Sequence, residues 1–357
     1  MIKQPSISVS FTEKGITALT RGDRGIISMI LKDSASANLD SKLIKMSSVV
    51  DVPTTLTATN QEQIKLAFKG YQNVPKRVNA YILGADATDY TEALTALESI
   101  KYDYLVIPTV ETDQKTEEIA AYVKSQRQAG KLIKAILPNT DADTEGVINF
   151  ATAKMYTDDN EYDTEEYCSR IAGIIAGTPL NISATYAPLA ELTDCTHISR
   201  ADMDSAANTG KLIVFFDGEK VKTGRAVNSF VTTTENKGES FRKIKKVDVM
   251  DMITNDVRTT AEDSYIGKYA NTYDNKCLLI AAISNYFNAL INDKILSKAE
   301  IGIDVAKNAE YLKTKGYDVD AMTEDELKQA DTGSNVFLTA KISILDAIED
   351  IYIPIAI

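Results

Sequence analysis

Residues 78–108 read VNAYILGADATDYTEALTALESIKYDYLVIP, and residues 131–138 read KLIKAILP. VNAYIL is a short β-rich run. The segment after it places Tyr90, Ala93, Leu94, Leu97 and Ile100 at helical spacing, and YLVIP is a second apolar run of strand length. A helix from about Asp113 to Ala129 presents Ile119, Tyr122 and Val123 on one face, stops at Gly130 and hands over to the strand KLIKAIL. Pro108 and Pro138 close two of these strands. Short buried strands alternating with amphipathic helices build βαβ units around a parallel sheet, so this region is expected to be α/β.

Toward the C-terminus the pattern holds and then changes. In DTEEY, Asp163 can cap a helix with Glu166 three residues on, as in a capping box, and that helix carries Tyr167, Ile171 and Ile174 inward. The acidic stretch DDNEYD before it lacks the glycine of a calcium loop and puts Tyr162 at a ligand position, so it is expected to be a solvated loop. LIVFFDGEKVKTGRAVNSFVTT reads as a hairpin turning at DG. Two long helices follow, one over about Lys246 to Asp263 and one containing Leu279, Ile283, Phe287 and Leu290. The polar stretch TTTENKGE, Thr232 to Glu239, marks the expected domain boundary.

Composition narrows the function classes. With 357 residues the chain is long enough for two domains, and 44% hydrophobic with 25% charged residues is ordinary for a folded globular protein. A net charge of -12 argues against nucleic acid as the main partner, because phosphate binding draws on clustered Lys and Arg. The start, MIKQPSISVSF, has no apolar core of the kind a secretory signal needs, and no stretch has the apolar length of a membrane span, so no membrane insertion is expected. Cys168, Cys195 and Cys277 lie far apart and indicate neither a disulfide framework nor a zinc ribbon.

Catalytic signals are thin. His197 is the only histidine, and its neighbour Cys195 in CTH could in principle pair with it, but no third group or motif context is present; a loop histidine is the expected reading. GxSxG, HExxH, P-loop and GxGxxG strings are absent from the sequence, and no metal or cofactor is expected. Gly173 and Gly177 in IAGIIAG are spaced for close helix packing. The basic run FRKIKK, with Arg242, Lys243, Lys245 and Lys246, stands out in an acidic chain. It reads as a solvated helix start or a surface that meets an acidic protein.

Both ends read as strands. Ile7, Val9 and Phe11 alternate with serines, and Ile351, Ile353, Ile355 and Ile357 alternate with Tyr352, Pro354 and Ala356. Such strands must pair their backbones, either within the chain or with a neighbouring copy, because an open apolar edge aggregates.

Seven segments, in order along nearly the whole chain, resemble the tail sheath family of contractile phages and phage-derived bacteriocins: QPSISVSF, RGDRGIISM, YDYLVIPT, RIAGIIAGTPLNISATY, GRAVNSFVT, KKVDVMDMITNDVR and VFLTAKISILDAIEDIYIPIAI. The resemblance implies α/β plus α+β architecture: an N-terminal arm over 1–20 and an outer α/β domain over 21–234, subtilisin-like in fold but non-catalytic. A C-terminal tube-facing α+β domain over 235–345 and a strand arm over 346–357 complete it. It implies a structural subunit, not an enzyme, with Ile7, Val9, Phe11, Ile351, Ile353, Ile355 and Ile357 adding strands to neighbouring copies. The partners implied are copies of the chain in a helical lattice, an inner tail tube protein that Arg242, Lys243, Lys245 and Lys246 would touch, and baseplate and tail terminator proteins. The product would be a virion or phage-tail-like particle assembled in the bacterial cytoplasm, whose contraction drives the tube through a cell envelope. The compact chain lacks the large inserted surface domains of bigger sheaths. The competing class is an α/β enzyme or ligand-binding protein with a pocket at the carboxyl ends of its parallel strands.

Overall fold

The computed structural model describes residues 18–19 and 21–356. In chain order the first unit contains β1 (Ile26–Lys32), β2 (Leu43–Met46), α1 (Ala58–Phe68), β3 (Arg77–Leu83), α2 (Thr91–Leu97), β4 (Tyr104–Val106), α3 (Thr116–Gln128), β5 (Lys134–Pro138), β6 (Val147–Phe150), β7 (Lys154–Tyr156), β8 (Glu161–Asp163) and α4 (Thr164–Ala176). It continues with β9 (Asp194–Cys195), α5 (Arg200–Asn208), β10 (Lys211–Leu212), β11 (Val214–Phe216), β12 (Val221–Thr223) and the start of α6 (Ile244–Ser264).

Among the described residues the main sheet has the order β10-β6-β5-β4-β1-β3-β2. Its pairs are parallel except β2, which runs antiparallel along β3 at one edge. This is the βαβ rhythm of residues 78–138 realised: strands 3, 4 and 5 are joined by helices, and β1 inserts between β3 and β4. β1 explains why both faces are covered. Ile27, Met29 and Leu31 join a core with Ile64 and Phe68 of α1 and Ile171 and Ile175 of α4, whereas Ile26 and Ile30 join a second core with Leu94 and Leu97 of α2 and Ile119 and Val123 of α3. Period-two alternation with apolar residues on both sides is what a sheet sandwiched between helix layers requires.

Helix α4 is buried almost all round, which its composition permits. Its capping box forms as expected: Asp163 Oδ1 accepts from the Glu166 amide at 3.0 Å and Glu166 Oε2 from the Asp163 amide at 3.1 Å. Gly173 and Gly177 are there for contact with the chain around α1. A Cβ on Gly173 would fall on the Ala67 carbonyl oxygen, and one on Gly177 on the Asn73 carbonyl oxygen. The stretch expected to be a solvated loop is only half one: residues 157–160 link the antiparallel pair β7–β8, whereas Glu161–Asp163 is β8 itself, with Tyr162 a buried phenol donating to Glu62 Oε1 at 3.1 Å. The DG hairpin also forms: β11 pairs antiparallel with β12, and Gly218 takes φ +103° in the turn.

Packing divides the chain into two compact units, residues 22–255 together with 345–357, and a second built on 256–344. The chain passes between them inside α6. The segment 240–255, which composition groups with the C-terminal half, thus packs with the α/β unit, because Ile244, Val247, Asp248 and Asp251 are buried there. The second unit contains α7 (Tyr273–Asn292), β13 (Leu296–Ile303), α8 (Val305–Thr314), α9 (Glu324–Gln329) and β14 (Leu338–Ile344). Here α7 packs on β13, and β13 pairs antiparallel with β14 over its length, with one irregularity at Leu296/Lys298. Lys276, a buried cation on α7, donates to the Ala330 carbonyl oxygen at 3.3 Å.

Candidate assembly site at the C-terminal arm

The C-terminal alternation predicts a strand, but a strand needs a partner for its backbone. Residues 345–356 form no ladder in the isolated chain. Ile351 is 73% exposed, Ile353 73% and Ile355 81%, and Tyr352 between them is 89% exposed. For four large side chains within five residues, such exposure marks a surface meant to be covered. Ile357, like Ile7, Val9 and Phe11, lies outside the described residues.

The root of this arm is held. Lys243 Nζ reaches Asp346 Oδ2 at 2.6 Å and Glu349 Oε2 at 3.1 Å, Lys246 Nζ reaches Asp346 Oδ2 at 3.2 Å, and Arg225 Nη2 lies 2.7 and 2.8 Å from the two oxygens of Asp350. Glu349 is the most enclosed member, its side chain 7% exposed, and it also accepts from Thr185 Oγ1 at 2.7 Å. Burial alone would raise the pKa of Asp346, but Lys243 and Lys246 outweigh it and hold the group below the usual carboxylate range.

The basic run is therefore split among partners in its own chain. Arg242 donates to the carbonyl oxygens of Ala207 and Asn208 at the end of α5, and Lys245, mostly buried and with its pKa lowered by that burial, donates to the Asn181 carbonyl oxygen at 3.3 Å. Sequence reasoning missed Arg225, Asp346, Glu349 and Asp350. The available signal was two short runs of opposite charge, FRKIKK and DAIED, the second directly before the isoleucine arm.

A second charge cluster anchors α6 to the sheet. Lys134, 3% exposed at the start of β5, contacts Asp251 Oδ2 at 2.7 Å and Asp248 Oδ1 at 3.2 Å. Arg127 forks onto both oxygens of Asp251 at 3.0 Å each, and Arg24 and the Tyr104 hydroxyl meet Asp248 Oδ2 at 3.1 and 2.7 Å. Burial would raise Asp251, yet Lys134 and Arg127 hold it low. Asp103 goes the other way, its pKa raised mainly by burial.

The residues considered for catalysis have other roles. His197 Nε2 lies 2.7 Å from Asp194 Oδ1 on an exposed edge, its ring stacked on Phe216. Cys195 is buried and its thiol is pushed up to about 11 by that burial, while Cys168 is pushed well up by the same cause, the opposite of an activated nucleophile. At the carboxyl ends of the strands, Asp33 accepts from Thr57, Asn60 and the Ala35 amide, and Lys32 pairs with Asp113 at 2.7 Å. A cleft of about 440 Å³ lies beside the arm root, lined by Tyr186, Arg200, Lys211, Arg225 and Glu349 among others.

An anchored segment whose apolar side chains stay uncovered is a surface for a partner to cover. The comparisons name the kind of protein. The model for the phage tail sheath protein central domain matches residues 84–229 and that for the phage tail sheath C-terminal domain matches residues 236–357. The tail sheath protein of Clostridium phage phiCD119 is 36% identical over 354 residues, covering 98% of each chain. The sheath tail protein from Desulfitobacterium hafniense superposes with a TM-score of 0.69 at 19% identity, over 84% of this chain and 94% of that one. A chain of the contracted helical sheath of the anti-feeding prophage gives 0.72 at 13% identity, over 100% and 99%. The chain belongs to the phage tail sheath protein family. It is a structural sheath subunit of the contractile tail of a phage or tail-like particle, and not an enzyme.

Proposed function

We propose that copies of this chain polymerise as a helical tube around an inner tail tube, and that the lattice contracts to drive the tube through a target envelope. The baseplate and a tail terminator would bound the lattice at its two ends. In this reading the unit built on residues 21–234 faces outward, with a subtilisin-like fold label that carries no protease activity, and the unit after 235 faces the tube. One observation carries the proposal: an exposed alternating segment, Ile351 to Ile355, occurs in the same chain as a two-stranded sheet, β13–β14, whose outer edges are unpaired among the described residues.

Two strands alone are marginal in water, and an added strand from a neighbour supplies the missing ladder and covers the isoleucines. The N-terminal arm with Ile7, Val9 and Phe11 is proposed for the same exchange. Arms of this kind let each body move rigidly while backbone bonds between subunits persist, so a metastable extended lattice relaxes into a shorter, wider one without dissociating. The tube contact proposed for Arg242, Lys243, Lys245 and Lys246 has to compete with the chain's own oxygens, since each of the four already has one within reach.

The test is electron microscopy of the full-length chain beside one truncated after Asp350. Striated hollow cylinders from the first and dispersed particles from the second support strand exchange; cylinders from both exclude the C-terminal arm from assembly.

A further inference from the structure

The transition from held to free chain at the C-terminus is abrupt. Glu349 is nearly enclosed, and two residues later Ile351 is 73% exposed. Between Asp346 and Asp350 the one large apolar side chain, Ile348, does not contribute to the grip, because it is 87% exposed. The carboxylates of Asp346, Glu349 and Asp350 do, and their partners sit on a platform made of two crossing segments. The Asn228 amide donates to the Arg242 carbonyl oxygen at 2.9 Å and the Ile244 amide to that of Ala226 at 3.3 Å, which fixes Arg225 relative to Lys243 and Lys246. Hydroxyls from a third segment, Thr185 and Ser183, complete the seat of Glu349 at 2.7 and 3.5 Å.

We propose that this electrostatic clasp sets the point and direction from which the arm leaves the body, making Arg225, Lys243 and Lys246 positioning residues for strand exchange with a second copy of this chain. The inference rests on the strand-exchange reading above and adds the device that aims the strand. An arm rooted in a flexible tether would search a large volume before meeting its acceptor. One rooted at a seated glutamate begins within a narrow cone, which lowers the ordering cost of exchange. The partly exposed pairs, Arg225–Asp350 above all, are open to screening by salt, whereas the pair at Glu349 is sheltered.

Two measurements on the full chain test this. Glutamyl endopeptidase cutting after Glu349 reports clasp opening through release of the 350–357 peptide. Arg225→Gln, Lys243→Gln and Lys246→Gln combined is expected to speed that cut about tenfold, because cleavage follows the open population and each partly exposed pair adds a modest amount. For assembly, Lys243→Glu alone is expected to form few or no cylinders, and Lys243→Glu with Glu349→Lys to restore them, with thermal midpoints alike. The rescue separates the clasp from a tube contact, which a change at Glu349 would not repair. Unchanged cleavage in the glutamine variant, or normal assembly of Lys243→Glu, overturns the proposal. If the truncation after Asp350 makes cylinders as the native chain does, the strand-exchange reading fails, and the cleavage ratio still decides whether the clasp holds the root.

Discussion

The seven-stranded sheet and the terminal arm are built from similar residues and end in opposite states. Ile26 and Ile27 in β1 are 1% and 0% exposed, covered by helices on both faces, whereas Ile351, Ile353 and Ile355 are at least 73% exposed. The body buries even its charges, with Lys134, Asp248 and Asp251 each under a tenth exposed, while the arm root keeps its ion pairs partly in solvent. The contrast teaches where each region keeps its free energy: the body in its own fold, the arm, on the strand-exchange proposal, in contacts with another chain.

Substitutions can break this contrast if it is wrong. The largest loss of stability is expected from Lys134→Met, which leaves Asp248 and Asp251 short of a buried cation; removing one partner of a buried pair costs about 3–5 kcal/mol, read from urea unfolding. Gly173→Val forces side-chain atoms against the Ala67 backbone between α1 and α4, and overpacking of that kind costs about 1–3 kcal/mol by the same measurement. Asp163→Ala removes the observed cap of α4 and should cost about 1 kcal/mol.

Acid sharpens the comparison further. Asp251 in the body and Asp346 at the root both have pKa values lowered below 3.8 in the folded chain, so the stability they supply is fully present above about pH 4 and is lost as pH falls through their folded values. Asp103, raised by burial, acts in the opposite sense: its burden on the fold is relieved as pH falls through its folded value. Comparing the native chain with Asp251→Asn between pH 3 and 6, the variant should be less stable at pH 6 and lose less on acidification. The smallest effect on unfolding belongs to truncation after Asp350, expected within about 0.5 kcal/mol of the native chain because residues 351–356 are exposed. That same truncation is nonetheless expected to abolish assembly.

Much of the body was legible along the chain because its signals are local. The rhythm of residues 78–138, the Asp163–Glu166 cap, the DG turn before β12 and the helix carrying Ile283, Phe287 and Leu290 each declare themselves within one or two turns of chain. The isoleucine alternation at the C-terminus was equally plain, although residues 345–356 form no ladder in the isolated chain.

Tertiary structure alone decided the rest. That β1 sits between β3 and β4, that Lys134 meets Asp251 from 117 positions away, and that Lys243 seats Glu349 from 106 positions away are matters of distance through space. Periodicity encodes which face of an element is apolar, since side-chain direction repeats with the backbone. It carries no record of which opposite charges the fold will bring within 3 Å, so FRKIKK read as a surface run until the folded chain set the acidic root of its own arm against it.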